Sequence, residues 1–172
     1  MGTTKAPQRV MLFCALLYKN EDIFWEALNK LELKYKEISF YSPPLEWNFS
    51  NYYEKEIGQS LKRRYVFFAN LIEPDLLSEI KLFTNSIEKD FSENHNRTIN
   101  IDPGYITPAK VVLASTKDYS HRIYLRDGIY AEITLIYKKG NFEPHINTYR
   151  DYCTKKHQFY LHIGRAIMTG KV

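Results

Sequence analysis

Between Asp102 and Glu132 the chain gathers many side chains able to move protons or hold charge: Asp102, Tyr105, Lys110, Ser115, Thr116, Lys117, Asp118, His121, Arg122 and Glu132. Lys117, His121 and Arg122 lie close in sequence and suit a phosphate or carboxylate. Arg122 offers two parallel donors and Lys117 a point charge. His121 is the histidine of this stretch, and an imidazole changes charge near neutral pH, which makes it the natural general acid–base. Asp102 opens the run Asp102-Pro103-Gly104-Tyr105, which reads as a rigid turn; aimed into a cleft, its carboxylate would act as a base. Glu132 is expected to orient Arg122. Lys62-Arg63-Arg64 forms a second cationic cluster, a type of run that is more often a solvated face than a binding site. Asp102, His121 and Glu132 are therefore the catalytic candidates. Lys62, Arg63, Arg64, Tyr105, Lys110, Thr116, Lys117, Arg122, Tyr124 and Tyr130 are the ligand-binding candidates.

Other patterns exclude more than they suggest. Ser115, Asp118 and His121 match a hydrolase triad by type, but triad members seldom converge from one short loop. Gly164–Lys171 has one residue too many for a P-loop and ends in Val172 where Ser or Thr belongs. His157 and His162 are not spaced to share a helix face, and no Cys/His pattern points to zinc, so no metal is expected. No cofactor is implied.

The elements that must position these residues follow from periodicity. The 172 residues, 44% hydrophobic and 26% charged, fit one globular domain over 1–172 and exclude disordered, collagen-like and coiled-coil chains. Val10–Tyr18 is apolar without alternation, as in a central strand covered on both faces. Asn20 is a helix cap, and Phe24, Ala27, Leu28, Leu31 and Tyr35 follow at helical spacing. Glu37–Tyr41 reads as a short strand, 42–60 as a long connection with a helical turn near 51–57, and Arg64–Ile72 as a third strand. Pro74 begins a helix whose apolar stripe is Leu76, Ile80, Phe83, Ile87 and Phe91. Thr98–Ile101 is a fourth strand. Ile106–Thr116 is read as a short helix, with Thr107-Pro108 as its cap and first residue. His121–Leu125 and Tyr130–Lys138 form a hairpin, and a last helix begins near Thr154. The order β-α-β-β-α-β predicts an α+β, ferredoxin-like split β-α-β core. Its sheet is mainly antiparallel with two helices on one face, extended by the C-terminal β-hairpin and helix.

Register sharpens the hairpin. A three-residue loop Arg126-Asp127-Gly128, with Gly128 left-handed, pairs Tyr124 with Tyr130 and Arg122 with Glu132 and keeps both faces consistent. A two-residue Asp127-Gly128 turn would mix them.

The motifs Asp102–Tyr105, Lys110, Leu113–Asp118, His121–Leu125 and Asp127–Glu132 resemble a bacterial and archaeal family, domain-of-unknown-function family 4416. Asn51–Glu54 and Leu61–Arg64 fit the same pattern. The likeness spans roughly residues 8–152, and the tail 153–172 departs from it. The resemblance implies a single domain and emphasises the same polar segments, and it supplies no reaction.

Three functions compete. The first is a small domain that binds or acts on a phosphorylated or nucleotide-like molecule. Lys117, His121 and Arg122 would hold the anion, Asp102 or His121 would move a proton, and Tyr105, Tyr124 or Tyr130 would stack on a base. The second is an RNA-binding module, using the exposed tyrosines with Lys62, Arg63 and Arg64 on the backbone. The net charge of +4 and the lack of an RNP-type motif speak against it. The third is a homodimer formed through Trp47, Phe49 and Tyr53. No segment approaches the ~18 apolar residues of a membrane span. Lys19-Asn20-Glu21-Asp22 follows the first apolar run in place of a cleavage site, so the expected location is the cytoplasm.

Overall fold

Val10–Tyr18 forms β1, and every one of its residues is buried. A strand without a polar face needs cover on both sides. The even-numbered side chains Leu12, Cys14, Leu16 and Tyr18 pack against one layer, and Met11, Phe13 and Ala15 pack against the other. The computed structural model describes residues 2–171. After β1 come α1 (Glu21–Tyr35), β2 (Ile38–Tyr41), β3 (Leu45–Trp47), β4 (Leu61–Ile72), a 3-10 turn at Pro74–Leu76 and α2 (Leu77–Asp90). Then follow β5 (Ile99–Ile106), β6 (Lys110–Ser115), β7 (Ile123–Arg126), β8 (Ile129–Lys138), β9 (Asn141–Pro144) and α3 (Lys155–Met168).

All strands join one antiparallel sheet in the order β2-β4-β1-β5-β6-β8-β7, with β3 beside β4 and β9 beside β8. The chain is therefore α+β. Asn20 accepts the Asp22 N–H and starts α1, as its residue type predicts. Helices α1 and α2 cover one face through Phe24, Leu28, Leu31, Ile80 and Ile87. Helix α3 covers part of the other, with Leu161 against Phe13, Phe67 and Ile106. It lies close because Gly164 meets Phe67 directly; a Cβ there would come within 2.5 Å of the ring. Thr154 caps α3 by accepting the His157 N–H. Thr154→Ala is expected to lower the unfolding free energy by about 1 kcal/mol, read as a shift in urea midpoint at unchanged slope.

Four expectations are corrected. The segment 106–116 holds no helix: it closes β5 at Ile106, turns and runs on as β6. Thr107 does accept the N–H groups of Ala109 and Lys110 as a helix cap would, but this closes a tight turn, and Val111-Val112-Leu113 then follow their strand propensity. Asp102-Pro103-Gly104 is no turn: it lies inside β5 and pairs along β1. The connection 42–60 contains β3, and β4 starts at Leu61, three residues early. Finally, the hairpin turn has two residues, Asp127 and Gly128, both at positive φ (55° and 74°). A bulge between Tyr124 and Arg126 absorbs the residue assigned to the loop, so Tyr124 still faces Tyr130.

Candidate ligand cleft

Strand β5 is paired with β1 along its whole length, but with β6 only over Gly104–Ile106. Beyond that point the sheet forks. The Ile101 N–H donates to Glu88 Oε1 at 2.6 Å, and its carbonyl accepts from Lys81 Nζ at 2.8 Å. Two side chains of α2 thus satisfy backbone groups that a neighbouring strand would otherwise take. Pro103, two residues on and directed to the same side, has no N–H to offer, which suits a strand edge without a partner. At Gly104 the strands come very close, and a Cβ would lie 2.4 Å from the Val112 carbonyl oxygen.

The gap between the strands is a cleft of about 340 Å³. Asn100 and Asp102 stand on one wall; Ser115, Thr116 and Lys117 stand on the other, with Lys81, Asn85 and Glu88 from α2 and Glu132 from β8. A second chamber of about 630 Å³ extends over Trp47, Phe49, Arg63, Tyr119 and Asp151. The two hollows adjoin, sharing Tyr52, Tyr53, Asp102, Lys117 and Tyr149 as walls.

Asp102 sits where they meet. Its Oδ2 accepts from Asn100 Nδ2 at 2.9 Å and Arg63 Nη1 at 3.2 Å, and Lys81 Nζ lies 3.9 Å from Oδ1. Burial pushes its carboxyl up, but the Lys81 and Arg63 charges and the hydrogen bonds from Asn100 and Arg63 outweigh that, holding it below the usual carboxylate range. Such a carboxylate stays ionised at neutral pH and is a weak base. It is better suited to accepting a ligand's hydroxyl or N–H than to moving protons. Glu88 goes the other way: burial raises it, against the pull of Lys81, the Ile101 N–H and Arg97.

Arg63 lies between Asp102 and Asp151 (3.2 and 3.3 Å), and Asp151 also accepts from Trp47 Nε1 at 3.1 Å. Arg97 grips Glu56 with Nε and Nη2 (2.7 and 2.8 Å) and reaches Glu88 and Asn100 with Nη1, pinning the 48–60 segment to β5. Arg122 is equally committed. It donates to Glu132 at 2.7 Å, to the Lys117 carbonyl at 2.9 Å and to the Tyr149 hydroxyl at 2.7 Å. It acts as a clamp joining β8, the β6–β7 loop and the 145–152 segment, with three of its five N–H donors engaged. Lys117 differs from all of them. Its ammonium has no carboxylate partner among the described residues and touches only the Tyr52 hydroxyl, at 3.3 Å.

The structure brings together Asp102, Glu132, Thr116 and Lys117, with Arg63 in the adjoining chamber. His121 contacts Glu132 at 3.1 Å but opens, with Tyr105 and Lys110, onto a different groove. Lys62 and Arg64 turn to the α1 face and both pair with Glu21 at 3.0 Å. Tyr124 and Tyr130 pack edge to face on the β7–β8 hairpin, away from the cleft. Trp47 packs on Phe49 and Tyr53, and all three wall the chamber.

Sequence reasoning missed Lys81, Glu88, Arg97, Asn100, Tyr149 and Asp151. Two signals were present. Leu77, Lys81, Thr84 and Glu88 form a second helical stripe beside the apolar one, and all four are buried. Asn100 and Asp102 alternate on one face of a strand. Among the described residues no group of three His, Cys, Asp or Glu side chains could hold a metal ion, and no helix is long and apolar enough to cross a membrane.

Fold and site together define an α+β protein with a ligand-sized cleft in a forked antiparallel sheet. The chain belongs to the family described as Domain of unknown function (DUF4416), whose model matches residues 8–167. The match runs beyond Tyr152, where the likeness was expected to stop, and takes in most of α3, whose Leu161 and Gly164 pack in the core. No curated protein and no solved structure matches the chain.

Proposed function

We propose that the cleft in the forked sheet binds a small phosphorylated or nucleotide-like molecule of the cytoplasm, with Lys117 receiving its anionic group. The carrying observation is the contrast between Lys117 and the three arginines that brace the site. Arg63, Arg97 and Arg122 are all paired with carboxylates, whereas the Lys117 ammonium borders the cleft with no ion-pair partner among the described residues and donates to the Tyr52 hydroxyl. Opposite it, Asp102 accepts hydroxyl or N–H donors of the same ligand. Glu132 and Arg122 fix the wall that carries Lys117, and His121 holds Glu132 from behind. The site is built into one domain spanning 1–172. We read its core as ferredoxin-like, supported by the split order β2-β4-β1-β5 with α1 and α2 on one face, and extended by β6–β9 and α3.

A thermal-shift series with inorganic phosphate, ribose 5-phosphate and nucleoside monophosphates tests the binding reading. Wild type is expected to be stabilised by at least one phosphorylated compound. Lys117→Ala should weaken that ligand by about 10-fold or more, the size of one charge-assisted hydrogen bond, while the ligand-free melting temperature stays put because Lys117 is exposed. No shift with any anion overturns the proposal. A shift with an oligoribonucleotide and none with the small phosphates would favour RNA as the partner.

A further inference from the structure

The 340 Å³ cleft is room enough for an anionic group and its immediate carrier, yet the site continues into a larger chamber of different chemistry. Trp47, Phe49, Tyr52, Tyr53 and Tyr119 all line that chamber. The first four are fixed by edge-to-face packing: Trp47 meets Phe49 at 6.0 Å and Tyr53 at 5.6 Å, and Tyr52 meets Tyr53 at 5.0 Å. Tyr119 stands on the opposite loop with the Arg122 guanidinium 5.0 Å from its ring centre, and 57% of the residue is exposed. Tyr52 is 58% exposed, and its ring lies 4.8 Å from Lys117 Nζ. Two tyrosine rings therefore offer aromatic surface at the mouth of a preformed hollow, next to Lys117.

We infer that this chamber is the subsite for a flat heteroaromatic ring, so that the ligand is a phosphate ester carrying such a ring instead of a bare sugar phosphate. The inference rests on the cleft binding phosphorylated molecules. Three features support it. Aromatic walls stack on any planar π-system, whichever ring it is. Lys117 and Asp102 border both hollows, so one molecule spans them with its anion at Lys117 and its middle beside Asp102. Asn147, Thr148 and Ser50 add neutral donors and acceptors around the aromatic walls, which suits the edge of a heterocycle, and Arg150 lines the same chamber.

The test is isothermal titration with inorganic phosphate, ribose 5-phosphate, adenosine monophosphate and uridine monophosphate. At least one nucleotide is expected to bind about tenfold or more tightly than ribose 5-phosphate, the gain of one base–aromatic stack. Tyr119→Ala should erase that advantage and leave ribose 5-phosphate affinity unchanged, and Tyr119→Phe should keep it. Equal affinities for ribose 5-phosphate and both nucleotides, or an equal loss of both on Tyr119→Ala, would overturn the ring subsite and leave the phosphate cleft standing. Absence of binding by all four compounds would overturn the cleft and the ring subsite together.

Discussion

Arg63→Met is expected to lower the unfolding free energy by about 3–5 kcal/mol, the cost of removing one partner from a buried ionic cluster. The Arg63 side chain is 4% exposed and that of Asp151 is 3% exposed, so neither charge can turn to water. Once the guanidinium is gone, Asp151 keeps only Trp47 Nε1 and the Tyr152 N–H, a poor exchange for a full countercharge. Asp102 suffers less. It retains Asn100 and Lys81 and is reached by solvent through the cleft, so most of the cost falls on Asp151. The double variant Arg63→Met/Asp151→Leu should recover a large part of the loss, because an ion pair replaced on both sides by apolar groups leaves no charge stranded. Urea unfolding of the four proteins of this cycle measures it. A loss below about 1 kcal/mol for Arg63→Met would mean that the guanidinium is not holding the two acids.

Acid lability around His157 is the second large effect. His157 is 1% exposed, and its Nδ1 shares a hydrogen bond of 3.0 Å with the Tyr65 hydroxyl. Burial pushes its imidazole down to about 4, helped by the charges of Arg63 and Lys156 and opposed by Asp151. In the unfolded chain the same group titrates near 6.5, so below that pH the unfolded state takes up the proton first. Stability is full above 6.5 and falls as the pH drops towards 4, by at most about 3 kcal/mol. Asp102 and Glu56, both held low, lose their contributions only further down the scale. Glu88, held high, opposes the trend, since its folded form welcomes the proton. His157→Phe should flatten the stability profile between pH 6.5 and 4, whatever it does to stability at neutral pH. An unchanged slope would mean that His157 is charged in the folded protein.

The fold was largely legible where local signals and tertiary needs agree. The apolar run of β1, the Asn20 cap, the stripe of α2 and the last helix near Thr154 each announce an element that forms. The fork was not legible, because it depends on which strand lies beside β5, and Asp102-Pro103-Gly104 has a turn's composition wherever it occurs. β6 was hidden for a related reason: Thr107 caps the backbone in the same way whether a helix or a hairpin turn follows. Charged residues carried the least information. Lys62, Arg63 and Arg64 read as one basic patch, but strand alternation sends Arg63 into the chamber and its neighbours to Glu21. Lys81 and Glu88 lie off the apolar stripe of α2 and carry charge, yet they are buried and serve the open edge of β5. Of the proposed catalytic set, Asp102 and Glu132 reach the same hollow while His121 stays behind Glu132, a separation that spacing in sequence cannot encode.

Backbone amide chemical shifts recorded while a nucleoside monophosphate is titrated in probe the occupied surface most directly. Binding between the parted strands predicts concerted shifts at Asn100 to Asp102, at Ser115 to Lys117 and at Tyr149, saturating with one constant, while amides around Lys30 and Tyr124 stay still. Shifts confined to those latter positions, or none at saturating concentration, would contradict it.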